Sequence, residues 1–69
     1  MSSIRLWRAR KRHDHIDAVL FNVGPVWELR LTLNRRELWR DRFDDPERAR
    51  RAADDRLHDL QRAGWNSHW

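Results

Sequence analysis

The chain has 69 residues, no cysteine and a formal net charge of +4, and charged residues make up 38% of it. The lack of cysteine excludes disulfides and thiolate metal sites. The longest uninterrupted apolar run, residues 18–21, is far shorter than the ~20 residues that span a bilayer. Without an apolar leader, the sequence predicts one cytoplasmic domain over residues 1–69, whose small core would gain from a partner.

The positive charge is concentrated in two segments. Residues 1–13 carry five cations and no acid, and residues 35–43 carry four arginines against two acids. Residues 44–69 carry five arginines against six acids. Such an asymmetry steers an anionic partner toward the basic segments. A GC-rich genome would produce an arginine-rich chain without selection for binding, so composition alone leaves both explanations open.

The first predicted strand covers residues 4–10 and has a weak alternation. Ile4 and Leu6 fall on one face, and Trp7 and Ala9 fall on the other. Because side chains alternate along a strand, its cations should divide between the two faces. One face is expected to carry Arg8, Arg10 and Arg12, and the other Arg5 and Lys11.

The second predicted strand, residues 15–23, is apolar on both faces and ends before Gly24 and Pro25. One face carries Ile16, Ala18 and Leu20, and the other carries Val19, Phe21 and Val23. Two apolar faces favour burial of both. We expect a helix to cover one of them and a partner subunit or the C-terminal tail to cover the other.

The next two predicted strands, residues 26–33 and 37–43, form a hairpin. The first alternates, with Trp27 and three leucines on one face, and Glu28, Arg30 and Thr32 on the other. The turn between the strands lacks glycine, and Asn34 is its residue best able to adopt a positive φ. Asp41 falls on the same face as Trp39, an awkward core position that a bulge or an arginine partner would resolve.

A C-terminal helix is predicted over residues 46–63, followed by a tail at 65–69. The helix start is indicated by a capping aspartate, a proline at the first helical position and an early glutamate. Apolar residues at helical spacing form one stripe, alanine-rich at its beginning. Gly64 suits the left-handed residue that ends a helix, which predicts that Trp65 folds back on Leu60. The predicted fold class is α+β: a three- or four-stranded antiparallel β-meander followed by one C-terminal α-helix packed on one sheet face.

The arginines of the strands suggest a nucleic-acid-binding surface. A guanidinium is a planar fork of donors that fits phosphate groups and guanine edges. Trp7 and Trp69 would add surfaces for base stacking if their rings are exposed. The alternative is a solvated sheet edge whose charges prevent aggregation. The predicted nucleic-acid contacts are Arg8, Arg10, Arg12, Arg30, Arg40 and Arg42.

Metal binding and catalysis have weaker support. On a strand, His13, His15 and Asp17 would project to one face and include zinc ligand types. A third or fourth fixed ligand is not evident and the neighbouring cations repel a divalent ion, so solvated histidines are favoured and no cofactor is expected. No cysteine nucleophile, glycine-rich phosphate loop or serine elbow is present, so we expect a protein that is not an enzyme.

A second interpretation is a protein–protein interaction module or homodimer. Small cores commonly recruit a partner. The surface predicted for this contact is the apolar face formed by Val19, Phe21 and Val23. The two interpretations place different chemistry on the same sheet face.

Two resemblances accompany these patterns. The strand–turn–strand–helix unit from Trp27 to Ala53 resembles the three-stranded-sheet DNA-binding domains of the AP2 and phage-integrase N-terminal type. That resemblance implies that the outward arginines of these strands face the major groove. The Trp-Glu-Leu-Arg strand from Trp27, the Arg42-Phe43 strand end, the acidic helix start and the closing Gly64-Trp65 are similar to small uncharacterised bacterial proteins. This second resemblance covers most of the chain and implies a fold without an assigned activity.

Overall fold

A computed structural model describes residues 2–67. It contains four long strands, one helix and one short strand, in the sheet order β4-β3-β2-β1-β5 with antiparallel neighbours. The predicted α+β fold is confirmed, with the short fifth strand as an addition. The elements are β1 Ser2–Lys11, β2 Asp14–Val23, β3 Val26–Leu33, β4 Arg36–Phe43, α1 Pro46–Arg62 and β5 Asn66–Ser67.

The core lies between α1 and one face of the sheet. The pairs Ala18↔Leu31 and Leu20↔Leu29 place the apolar residues of β2 and β3 side by side under the helix. A one-residue shift of this register would move every one of these side chains to the opposite face, so the alternation fixes the pairing. The buried apolar residues are Trp7, Ala9, Ile16, Ala18, Leu20, Leu29, Leu31, Ala49 and Ala53.

A β-bulge in β1 changes the faces predicted for that strand. Arg5 pairs with Val19 and Trp7 pairs with Ala18, so Leu6 is the extra residue. A bulge inserts one extra residue into the strand. Two residues on opposite sides of it can therefore lie on the same face of the sheet although they are an odd number of positions apart. Ile4 therefore lies on the same face as Trp7, and the predicted alternation across this strand is wrong. The bulge brings Trp7, which is 2% exposed, under the helix.

A second bulge lies between β3 and β4. The register shifts between Leu31 and Thr32, which makes Leu38 the extra residue of β4, with 54% of its surface exposed. Asp41 pairs with Leu29 and stays on the helix-side face, as the alternation predicts. Because β4 is an edge strand, the Asp41 carboxylate remains exposed and accepts a hydrogen bond from the Arg42 amide. The bulge therefore does not turn Asp41 away from this face.

The helix has the ends that the sequence predicts. The Asp45 carboxylate accepts a hydrogen bond from the Glu47 amide, and Pro46 is the first helical residue. Gly64 has φ +97°, and the Trp65 amide donates to the Leu60 carbonyl at 2.9 Å, as in a Schellman motif. The predicted helix is confirmed, and it ends one residue earlier, at Arg62. Its two buried alanines allow the close approach of helix and sheet.

The opposite face of the sheet is called the open face, because no element of residues 2–67 packs over it. It carries the odd-numbered residues of β2 and the even-numbered residues of β3. The expected cover by a C-terminal tail is not supplied by residues 65–67, since β5 instead extends the sheet beside β1. Trp69, for which stacking was considered, lies outside the described residues.

Candidate nucleic-acid interface

Two hairpin turns meet at one end of the sheet, called the turn end, which comprises residues 12–14 and 34–36. Asn34 joins them: its side-chain oxygen accepts from the His15 amide at 3.0 Å, and its side-chain nitrogen donates to the Asp14 carboxylate at 2.9 Å. The Asn34 amide also donates to the His15 carbonyl. These bonds hold residues about twenty positions apart in sequence against each other. The result places Arg35 beside the β1–β2 turn.

A cleft of about 320 Å³ lies at this junction, called the turn cleft. Three of the six predicted nucleic-acid contacts line it, namely Arg8, Arg10 and Arg12. Two histidines and Arg35 were not predicted to take part, because their position depends on the contact between the two turns. The lining residues are Arg8, Arg10, Arg12, His13, Asp14, His15 and Arg35.

The other three predicted contacts surround one carboxylate on the open face. Arg30 Nε lies 2.6 Å from Glu28 Oε1, Arg42 Nε lies 3.3 Å from Oε2, and Arg40 Nη1 lies 3.6 Å from Oε1. Glu37 pairs with Arg30 and Arg40 at the edge of this cluster. Sequence alternation placed Glu28 on the same face as Arg30 but did not show that Arg40 and Arg42 also contact it.

Glu28 is only 4% exposed although no helix covers it. The surrounding side chains exclude water from it, so its charge needs the arginines as partners. The hydrogen bond from Arg30 lowers the pKa of Glu28, burial acts in the opposite direction, and the charges of Arg30 and Arg40 add to the lowering. The net effect is that the pKa of Glu28 lies below its ordinary value.

A second ion pair anchors the basic segment to β2. Arg8 donates from Nε to Asp17 Oδ1 at 2.6 Å and from Nη2 to Oδ2 at 3.1 Å, a bidentate arrangement. Burial acts to raise the pKa of Asp17, but the hydrogen bond and charge of Arg8 outweigh it, with smaller contributions from His15 and Arg5. The pKa of Asp17 is therefore lowered, and Arg8 is fixed in orientation.

The bulge in β1 also redistributes the basic residues. Arg5 pairs with Val19 and thus shares the open face with Arg8 and Arg10, contrary to the sequence prediction. Arg12 lies in the turn with φ +57° and does not continue the strand face predicted for it. Lys11 is on the helix side as predicted, where its ammonium donates to the Ala63 carbonyl at 2.8 Å.

Charge is divided unequally between the two sides of the molecule. The open face and turn end carry nine arginines and four acids, a net +5 with histidines neutral, and the other described residues carry −1. The nine arginines are Arg5, Arg8, Arg10, Arg12, Arg30, Arg35, Arg36, Arg40 and Arg42. The four acids are Asp14, Asp17, Glu28 and Glu37.

The histidines do not have the arrangement expected for a zinc site. His13 lies in the turn and not on β2, so it does not share a strand face with His15 and Asp17. His15 Nε2 is 4.0 Å from Asp17 Oδ2, which itself accepts from Arg8. Within residues 2–67, no three histidine or carboxylate side chains are grouped as a metal site.

The apolar part of the open face is partly covered by its own arginines. The Arg30 guanidinium lies over the Phe21 ring, 4.4 Å from its centroid, a cation–π contact. Val19 and Phe21 are half-buried, and Val23 is 44% exposed. The face proposed for a homodimer therefore combines a small apolar patch with charged neighbours.

Comparisons with protein-family models, with curated proteins and with solved structures each found no match. Across residues 2–67, the one helix is neither long nor apolar enough to cross a membrane. The site must therefore be interpreted from its own geometry and charge.

Proposed function

We propose that this chain is a non-enzymatic accessory protein that binds nucleic acid in the cytoplasm through the open face and the turn end. The observation that carries the proposal is the net +5 of this side against −1 elsewhere. A nucleic-acid backbone carries one charge per phosphate, and contact with a basic surface releases its condensed counterions. A face of this polarity orients the protein toward such a polyanion.

The carboxylates on this face support the proposal by fixing the arginines that they bind. Arg42 and Arg40 keep 74% and 55% of their side-chain surface exposed while contacting Glu28. A guanidinium has five N–H donors, so one contact with a carboxylate leaves others for phosphate. Restricting the side chain beforehand lowers the entropy lost on binding. Arg10 and Arg12 are exposed and supply charge at the turn end.

The direct test is a titration with duplex DNA, single-stranded DNA and RNA at several salt concentrations, followed by tryptophan fluorescence. The variant to compare is Arg10→Gln with Arg12→Gln, which removes two charges while keeping polar side chains. Arg8 is left intact because its removal would strip Asp17 of its partner. The matched control is Arg50→Gln with Arg51→Gln on the exposed side of α1, which has the same change in net charge.

We expect wild-type affinity for duplex DNA to fall steeply with salt, with a log–log slope of about −0.9 for each phosphate contacted. The Arg10→Gln, Arg12→Gln variant should reduce the magnitude of that slope by about 1.8 if both arginines contact phosphate. The helix control should retain the wild-type slope. Equal slopes in all three proteins would refute the assignment of the turn end, and no binding at low salt would refute the function.

A homodimer through the open face is the second candidate, because Val23 is 44% exposed and no strand or helix of residues 2–67 packs over Val23 and the half-buried Phe21. The positive charge of the face opposes the approach of a second copy. Sedimentation of the wild type and of the Phe21→Asp variant tests whether the chain forms this homodimer. A dimer that the substitution dissociates favours self-association, and a wild type that stays monomeric at high concentration eliminates it.

A further inference from the structure

Both turns that border the turn cleft hold an arginine in a backbone conformation that favours glycine. Arg12 has φ +57° and Arg35 has φ +72°. In this left-handed region the β-carbon of an L-residue crowds the following carbonyl oxygen, so residues other than glycine and asparagine rarely occupy it. Both arginines lie at the same end of the sheet, in different hairpins.

The turn at the opposite end of the sheet shows the ordinary solution. There the β2–β3 loop has Gly24 at φ +62°, with Pro25 after it. Arg12 occupies the corresponding first position of its two-residue loop, and Arg35 follows Asn34 where a type I′ turn usually has glycine. The chain thus has glycine in the turn away from the cleft and arginine in the two turns beside it.

Residues held in sparsely populated backbone conformations cluster at functional sites, where the surrounding structure stabilises them. Arg12 and Arg35 both line the turn cleft, and the Asn34 hydrogen bonds hold their two turns together. With histidines neutral, the lining carries four arginines and one acid, Asp14. The lining is therefore positively charged and suits an anion.

We propose that the turn cleft binds a terminal phosphomonoester, the phosphate group at the end of a nucleic-acid strand. This inference rests on the proposed function and adds a specificity for strand ends. A phosphomonoester has three terminal oxygens and close to two negative charges near neutral pH, whereas an internal phosphodiester has one charge. The arginines that line the cleft come from three segments, β1, the β1–β2 turn and the β3–β4 turn.

The position of the cleft is consistent with binding the end of a nucleic-acid strand. Arg8 and Arg10 belong both to the cleft lining and to the open face, so the two surfaces are continuous. A nucleic-acid strand that lay along the open face would reach the cleft at the edge of the molecule. The bidentate bond of Arg8 to Asp17 fixes the wall between the two surfaces.

The test uses one single-stranded oligonucleotide sequence in three forms, with a 5′-phosphate, with a 3′-phosphate, or with hydroxyl groups at both ends. We expect one phosphorylated form to bind at least fivefold more tightly than the hydroxyl form, with a nucleoside monophosphate competing away the difference. Equal binding of all three forms overturns the inference and leaves the proposed function intact. Binding of the nucleoside monophosphate but of no oligonucleotide overturns both and indicates a small-molecule phosphate site.

Two variants separate binding from a structural role of the arginines. Arg12→Gly with Arg35→Gly relieves the strain, so we expect Tm to rise by about 4 °C or more and the preference for phosphorylated ends to disappear. Asp14→Asn keeps an acceptor for Asn34 and removes the one acid of the cleft, so phosphorylated ends should bind more tightly. A double glycine variant that keeps the end preference would overturn the assignment, as would an Asp14→Asn variant with weaker end binding.

Discussion

The indole nitrogen of Trp7 donates a hydrogen bond to the Ala53 carbonyl oxygen at 3.0 Å, across 46 residues of sequence. This bond joins β1 to the middle of α1, and Trp7 is 2% exposed. Trp7 is buried in the same core cluster as Ala49 and Ala53 of the helix. One side chain thus links the first and last long elements of the fold.

Replacing Trp7 with phenylalanine should lower the free energy of unfolding by about 2 kcal/mol, from the loss of the hydrogen bond and of buried ring volume. Urea denaturation with an unchanged m-value would measure it. Trp27→Phe is the control, since that ring is half-buried and has no indole hydrogen bond to the described residues. Equal losses in the two variants would show that the Trp7 bond adds nothing beyond ring size.

Stability should depend on pH through the two carboxylates of the open face. Arg30 lowers the pKa of Glu28, and Arg8 overcomes the effect of burial to lower the pKa of Asp17. A group whose folded-state pKa is depressed stabilises the fold above its unfolded pKa, and that contribution is lost as pH falls through the folded-state pKa. Thermal unfolding should therefore show a falling Tm below about pH 4.5, the range where unfolded carboxylates begin to bind protons.

The matched experiment replaces both carboxylates with amides, Asp17→Asn and Glu28→Gln. This variant should be less stable than wild type at neutral pH, because its arginines lose their partners, and its Tm should change less between pH 5 and pH 2. Asp54→Asn with Asp55→Asn on exposed positions of α1 is the control and should keep the wild-type pH profile. A wild-type acid profile in the open-face variant would contradict the linkage.

The start of α1 offers a test of local capping. Asp45→Ala removes the side-chain acceptor for the Glu47 amide and should cost about 1 kcal/mol. Asp44→Ala removes a neighbouring charge near the same helix end, so it shares the effect of the helix dipole but not the cap. Chemical denaturation of both variants measures the difference, and equal destabilisation would assign the effect to charge alone.

The sequence by itself determined the helix and most of the strands. The signals for α1 are local, since Asp45, Pro46 and Gly64 act within one turn of the helix ends. The alternation of β3 depends on one buried face and is equally local. The same alternation placed Glu28 and Arg30 together on the other face of β3. These features are visible in the chain because each depends on residues a few positions apart.

Only the tertiary structure decided the faces of β1 and the composition of the turn cleft. The bulge at Leu6 depends on pairing with β2 and on burial of Trp7 under a helix that comes 39 residues later. The cleft depends on Asn34 bonding to residues about twenty positions earlier. Arg12 and Arg35 line the same cleft only because these two turns contact each other. The physical reason is that side-chain periodicity describes one element, whereas a site is made by the packing of several.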